Sequence, residues 1–225
     1  MPRVTALEVP ANGAVFKGGA TAKAASLILA AQDAVAPLKE VIGYCPKAMR
    51  HYRPESELSN MIVDCIKRST EEVTGRHVDV ALANMGGIRQ DLPEGDIQVG
   101  DIYAMLPFNN YLCYVAVKGA DLRKMLSGIA GHVEALSGVE MEIKGHKLTK
   151  VLVGGKPIDD EKVYGLATID FLLAGGDGIS VARYAQELIQ SEVLVRDAVL
   201  PYLRSLTAEG KPVSYAKDGR VKYVK

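Results

Sequence analysis

The 225-residue chain contains no tryptophan and only three phenylalanines. Wholly apolar rings are therefore scarce, and the places where they stand carry information. Cysteine is equally sparse. Cys45, Cys65 and Cys113 are an odd number without close spacing, which excludes a disulfide framework and a zinc pattern. Each lies in an apolar stretch and reads as a buried free thiol. Net charge is also lacking, since 27 Lys and Arg face 27 Asp and Glu. No basic footprint of a nucleic-acid binder exists, so an anionic ligand must be met by a few local groups. No stretch approaches the roughly 20 apolar residues of a membrane-spanning helix. The opening Met1-Pro2-Arg3-Val4-Thr5 does not read as a signal peptide. What the chain does have is 48% hydrophobic and 24% charged residues, enough for a sizeable core.

Residues 1–18, with Pro10, Gly13 and Gly18, read as a lead-in without periodicity, and residues 19–225 as one domain. Ala20 to Val41 has helical spacing, ended or kinked by Pro37. Val41 to Tyr44 fits a short strand. A second helix starts near Pro54 and Glu55, with Leu58, Met61, Ile62, Cys65 and Ile66 on one stripe. Val78 to Leu82 predicts a strand, and so do Leu112 to Val117, Val139 to Ile143, Leu148 to Val153 and Val163 to Thr168. Asp121 to Ile129 and Ser191 to Leu206 predict helices, the second carrying Pro201. Val213 to Tyr215 and Val221 to Tyr223 around Asp218-Gly219 carry a hairpin signal. Irregular alternation with hairpin-like neighbours favours an α+β domain, a mixed β-sheet flanked by helices, over a regular doubly wound fold.

Three segments combine glycine or proline with chemistry-bearing side chains. In Asn84-Met85-Gly86-Gly87-Ile88-Arg89, a strand runs into a glycine turn where unusual backbone angles are open. Main-chain amides can approach a ligand there, and Arg89 offers a planar fork for anionic oxygens. Alone, the pattern is equally that of a tight turn with a surface arginine. Leu106-Pro107-Phe108-Asn109-Asn110 places a ring in a loop, either for a ligand or folded back on the core. Asp170-Phe171-Leu172-Leu173-Ala174-Gly175-Gly176-Asp177-Gly178 holds Asp177 in a glycine loop. Its carboxylate can take hydrogen bonds from ligand hydroxyls or from its own backbone. Phe108 and Phe171 thus both stand in loops, and two flat rings on separate loops can sandwich a planar base, at about 1–3 kcal/mol per stacked base.

The ordered motifs N-x-G-G-I-R, P-F-x-N and F-x-x-x-G-G-D-G resemble the C-terminal domain of bacterial and animal 5′-nucleotidases. So do the flanks Leu92 to Ile97, Gly100 to Tyr103, Ile42 to Tyr44, and Glu55-Ser56-Glu57-Leu58-Ser59-Asn60 through Asp64. The resemblance spans residues 20–206. It implies that Phe108 and Phe171 sandwich the nucleobase, and that Asn84, Asn110 and Asp177 bond the base edge or ribose hydroxyls. Arg89 would steer the phosphate end, and Gly138 would allow close approach near the base. One arginine of the family pattern is replaced here by Tyr52, with Arg53 and Arg50 nearby. Arg53 then reads as a substitute anion contact or as a solvated charge at a helix start.

The same family hydrolyses phosphate esters at a two-metal centre in another domain, with D-x-H, G-N-H-[D/E] and H-x-H motifs. None of the four histidines here, His51, His77, His132 and His146, belongs to such a motif; each reads as a surface or turn residue. The expectation is a nucleoside- or nucleotide-recognition half with no catalytic residues, no cofactor and no metal of its own. Divalent metals would belong to a metallophosphatase half, encoded separately or within a longer chain. A free-standing nucleotide-binding module and a degenerate interaction domain are the alternatives. The family resemblance implies a periplasmic or cell-surface location.

Overall fold

The computed structural model describes residues 19–225, so the lead-in over 1–18 lies outside the described residues. Two compact units are distinguished, Met1–Glu40 and Val41–Lys225. In the first, helix α1 covers Gly19–Val35, and Ala36–Lys39 form a 3-10 turn. Pro37 sits within that turn. It lacks the N–H that α-helix continuation needs, so the helix expected to reach Val41 ends at Val35.

The second unit begins with β1 (Val41–Cys45), α2 (Glu57–Thr74), β2 (Val80–Ala83), β3 (Gly95–Gln98) and α3 (Val99–Met105). Next come β4 (Tyr111–Lys118), α4 (Gly119–Gly128), β5 (Ala135–Ser137), β6 (Val139–Lys144), β7 (Lys147–Val153) and β8 (Lys156–Pro157). It closes with β9 (Val163–Ile169), α5 (Asp170–Leu173), β10 (Ala185–Leu194), α6 (Val195–Ala208) and β11 (Val221–Tyr223).

A five-stranded sheet has the order β10-β4-β9-β2-β5. Only β2 and β9 pair in parallel within it; the other neighbours are antiparallel. A four-stranded sheet, β11-β6-β7-β8, is likewise mixed, with β11 parallel to β6. β1 and β3 form a separate antiparallel pair. The architecture is the α+β arrangement of mixed sheets flanked by helices.

Helix α2 forms where it does because Ser56 caps it. The Ser56 hydroxyl accepts the Ser59 N–H at 3.1 Å, and Gly75 ends the helix at φ +64°. Its stripe, Leu58, Met61, Ile62, Cys65 and Ile66, is fully buried and packs across β2, β4, β5 and β9. Strand β4 is buried from Leu112 through Val117. It lies between two neighbours with both faces covered, so its sequence is continuously apolar. β10, at the sheet edge, alternates half-buried and exposed residues over most of its length.

The three thiols are free and buried. Burial pushes Cys65 and Cys113 up to about 12, which keeps both protonated and unreactive at neutral pH.

Two sequence expectations are corrected. The helix expected from Ser191 starts at Val195, because Ser191–Leu194 are drawn into β10 by pairing with β4. The expected tail hairpin is absent. Val221–Tyr223 instead pair in parallel with Met141–Ile143. The Asp218-Gly219 turn is held from outside: both of its N–H groups donate to Glu55 Oε1, at 2.8 and 3.1 Å. Arg220 then reaches inward to Asp64 with two bonds, of 2.8 and 3.0 Å. A buried acceptor and a buried ion pair outweigh the local turn preference.

Candidate functional site

The sheet register gathers the three motif segments at one end. β2 and β9 run in parallel, with Ala81 opposite Ala167, so the residues that follow them, Asn84 and Asp170-Phe171, emerge side by side. β4 runs against β9, with Leu112 opposite Ile169, so the loop before β4 arrives at the same edge carrying Phe108 and Asn110. Asp170 links these loops, since its Oδ1 accepts the N–H of Tyr111 at 3.1 Å and of Phe171 at 2.8 Å.

Neither phenylalanine is buried. Phe108 is 50% exposed and Phe171 40% exposed, although both are large apolar rings with a core available. Phe108 lines an apolar recess together with Asn84, Gly87 and Asn110, backed by Ile62 and Ile66 of α2. Phe171 rests against Gly176, where an added Cβ would lie 2.3 Å from the ring. Glycine at 176 is thus what lets the ring lie on its own loop while part of it stays open to solvent.

Asn84 is buried at 8% exposure, and its Nδ2 donates to Asp177 Oδ2 at 2.9 Å. This bond joins the first motif to the third. Asp177 stands in the left-handed region at φ 52° and ψ 25°, a conformation unusual for a non-glycine residue. Gly175 and Gly178, at φ +95° and +74°, flank it and make the loop sterically accessible. The Asp177 carboxylate therefore bonds a distant side chain through Oδ2.

Gly86 and Gly87 serve differently from the sequence expectation. Neither has a positive φ, so unusual backbone angles are not their purpose. A Cβ at Gly87 would stand 2.9 Å from Asn84 Oδ1; the glycine makes room for the Asn84 amide. Arg89 follows on the same turn. Its N–H is bound to Met105 O at 2.9 Å, and its exposed guanidinium donates to Gly86 O at 3.2 Å.

Gly138 is not brought to this end, and its expected place near the base is corrected. Ser137 pairs with Ala81, so Gly138 lies by the start of β2, whereas Asn84 follows its end. A Cβ there would meet Asp79 O at 2.0 Å, and its φ is +77°. The glycine is required by backbone packing. It lines a separate cavity with Asp64, Lys67 and Arg220.

Three supporting residues escape the sequence motifs. Arg196, at the start of α6, donates to Phe108 O at 3.2 Å and to Asn109 Oδ1 at 2.6 Å, and stacks on Tyr103 at 4.8 Å. With the Val195 N–H on Asn110 O at 2.9 Å, it fixes the Phe108 loop. No local signal marks it, because its partners lie 87 and 88 residues away. Glu134 is buried beneath the Asn84 turn and accepts the Met85 N–H. A lone carboxylate within the apolar run Val133 to Leu136 was the signal for it. Arg53, a third of whose side chain is exposed, is engaged by the protein itself. Its Nε donates to Val133 O at 2.6 Å, and its Nη2 pairs with Glu134 Oε1 at 3.2 Å.

His51, His77 and His132 each stand within 4 Å of a carboxylate, Asp91, Glu71 and Glu134 respectively. Among the described residues there is no group of three or more His, Cys, Asp or Glu that could hold a metal ion. No described helix is long and apolar enough to cross a membrane.

The chain is 30% identical over 187 residues to the Cell wall protein Lmo0130 of Listeria monocytogenes, covering 75% of this chain and 24% of that protein. It is 29% identical over 210 residues to the trifunctional nucleotide phosphoesterase protein YfkN of Bacillus subtilis, covering 82% of this chain and 14% of that one. It therefore spans about a quarter or less of these relatives. The crystal structure of a 5′-nucleotidase precursor from Thermus thermophilus superposes with a TM-score of 0.78 at 27% identity, over 91% of this chain and 43% of that one. Residues 36–184 match the model of the 5′-nucleotidase C-terminal domain, and the chain belongs to that family.

Proposed function

We propose that this domain recognises a nucleoside or nucleotide and orients it for phosphoester hydrolysis carried out by a metal-bearing domain outside the described residues. The observation that carries the reading is the Asn84–Asp177 hydrogen bond, which joins the Asn84 turn to the loop exposing Phe171, while Phe108 is exposed on the recess that Asn84 also lines. Phe108 and Phe171 stack on the base, a contact that tolerates different bases. Asp177 accepts hydrogen bonds from ribose hydroxyls with the oxygen not used by Asn84. Asn84 and Asn110 address the base edge, and Arg89 meets the phosphate end with a charge-assisted fork.

Hydrolysis in this family calls for two divalent metals that clamp the attacking and leaving oxygens. In this reading the domain contributes binding and orientation, and the metals belong to a metallophosphatase half. A location in the periplasm or at the cell surface accompanies this reading, in keeping with one relative's name as a cell wall protein.

Calorimetry with adenosine and AMP tests the binding. Saturable uptake of both is expected, and no heat with either ligand would end the reading. A phosphatase assay of the pure chain on AMP with Mn²⁺, Zn²⁺ or Co²⁺ is expected to stay at background; clear turnover would contradict the division of labour. Mixing with a matching metallophosphatase chain is expected to raise kcat/KM, which a free-standing binding module would not do.

The Asn84–Asp177 bond has its own test. Gly87→Ala forces the Asn84 amide aside, and the loss of one hydrogen bond of about 1 kcal/mol predicts adenosine binding weaker by roughly five- to tenfold. Asn84→Ala in the same assay is expected to match it.

A further inference from the structure

We propose that Glu134 is a positioning residue for the nucleoside site, its buried carboxylate holding the Asn84–Gly87 turn in the shape from which Asn84 grips Asp177. The inference rests on the nucleoside reading above and adds the group that sets its geometry.

Glu134 directly precedes β5, whose Ala135 pairs with Ala83 at the end of β2, so the carboxylate arrives under the exit of that strand. The side chain is 1% exposed. Oε2 accepts the Met85 N–H, the residue next to Asn84. Oε1 accepts from Arg53 Nη2 at 3.2 Å, while Arg53 Nε holds the neighbouring Val133 carbonyl at 2.6 Å. His132 Nε2 stands 3.7 Å from Oε1 on an exposed ring. The charged and titratable groups facing Glu134 are Arg53 and His132 and, across a shared recess, Lys124, Asp177, Arg183 and Tyr184. A recess of about 160 Å³, lined by both Glu134 and Asp177, places the two carboxylates on one cavity.

The fold itself gains little from this charge. Burial raises the Glu134 carboxyl above the ordinary range, against the Met85 N–H and Arg53, which favour ionisation. For a group raised in the folded state, the linked stability is present in acid, below the unfolded value. It is lost as pH rises through the raised folded value. A neutral side chain would thus suit stability at neutral pH. The turn has the opposite need, because an ionised carboxylate is the stronger acceptor for Met85 and the counter-charge for Arg53. Stability and ligand affinity are expected to respond to Glu134 in opposite directions.

The test is calorimetry with adenosine on the wild type and Glu134→Gln, from mildly acidic to neutral pH. Wild-type affinity is expected to fall as pH drops. The variant is expected to bind about tenfold more weakly at the upper pH, the scale of a charge-assisted hydrogen bond, and to lose that slope. Its urea midpoint at the upper pH should be no lower than wild type. The difference between the two curves is what counts. His132→Gln is expected to keep the wild-type slope. Wild-type affinity in Glu134→Gln, or an unchanged pH curve, would overturn the proposal. If the variant fails to fold, the Met85 amide proton resonance of the wild type decides. It is expected to move with the same midpoint as the affinity, and a stationary resonance overturns the proposal. Absence of wild-type binding at every pH would instead remove the nucleoside reading, while the Met85 titration still reports whether Glu134 holds the turn.

Discussion

Phe171→Ala and Phe108→Ala are each expected to weaken adenosine binding by about 1–3 kcal/mol, a loss of roughly five- to 150-fold in affinity, and the pair together is expected to abolish measurable binding. Stability is expected to change little, because both rings are already exposed, at 40% and 50%. That separation is the diagnostic. A ring that packs the core loses stability when truncated; a ring held out for a ligand loses affinity. Of the two, Phe171 is expected to show the larger change. Its ring lies on Gly176, pre-placed by its own loop, whereas Phe108 depends on Arg196 to fix its loop from outside. Arg196→Met is accordingly expected to reproduce part of the Phe108→Ala loss with the ring still present. Titration calorimetry beside thermal melts measures both quantities. Unchanged affinity in both phenylalanine variants, with real wild-type binding, would refute the stacked site.

Arg220→Met is expected to cost about 3–5 kcal/mol, the scale of breaking a buried ion pair and leaving its partner charged, and to lower Tm by roughly 10 °C. Arg220 is 10% exposed and Asp64 23% exposed. The guanidinium also binds Leu136 O at 3.1 Å and Asp218 at 2.7 Å, while Tyr215 donates to Asp64 at 2.7 Å. These contacts fasten the segment after α6 to α2 and β5. Burial opposes ionisation of Asp64, but the bonds from Arg220, Ser137 and Tyr215 outweigh it and hold its carboxyl below the usual range. The Arg220 bond holds Asp218 low as well. For carboxyls depressed in the folded state, the linked stability is present above the unfolded value of about 4 and is lost as pH falls through the folded values. Wild type is therefore expected to lose stability below about pH 4, and Arg220→Met to lose less over the same interval. Urea unfolding at pH values on both sides of that interval measures it. Equal acid losses in the two proteins would show that the cluster does not hold the tail.

The same cluster explains why part of the family-like pattern has no direct place in the proposed binding site. Glu55, Asn60 and Asp64 belong to the segment that resembles the family, Glu55 just before α2 and the other two within it. Asn60 Nδ2 donates to Glu55 Oε1 at 2.8 Å and to Ala216 O at 3.2 Å, and Asp64 holds Arg220. These residues organise the C-terminal segment, while the proposed ligand end of the sheet is furnished by Asn84, Phe108, Asn110, Phe171 and Asp177. Gly138, beside the opposite end of β2, answers to the Asp79 carbonyl.

The residue order alone determined the elements whose signals are local. The Ser56 cap and the stripe from Leu58 to Ile66 specify α2 through contacts three and four positions apart. The unbroken apolar run of β4 requires a strand covered on both faces. Two of three phenylalanines set among glycine and proline marked the loops worth attention. Tertiary structure alone decided how those pieces meet. Asn84 and Asp177 are 93 residues apart, Arg196 and Phe108 are 88 apart, and Arg220 and Asp64 are 156 apart. No periodicity encodes such partners. They are set by strand order and register, which bring distant segments to one sheet edge. The tail shows the limit most directly: Asp218-Gly219 carries the local preference for a hairpin, yet Glu55 and Asp64, acting through buried hydrogen bonds and charge, direct β11 into parallel pairing instead. Local propensity amounts to tenths of a kcal/mol per residue, about 0.2–1 for a cross-strand pair, and a buried, charge-assisted contact exceeds it.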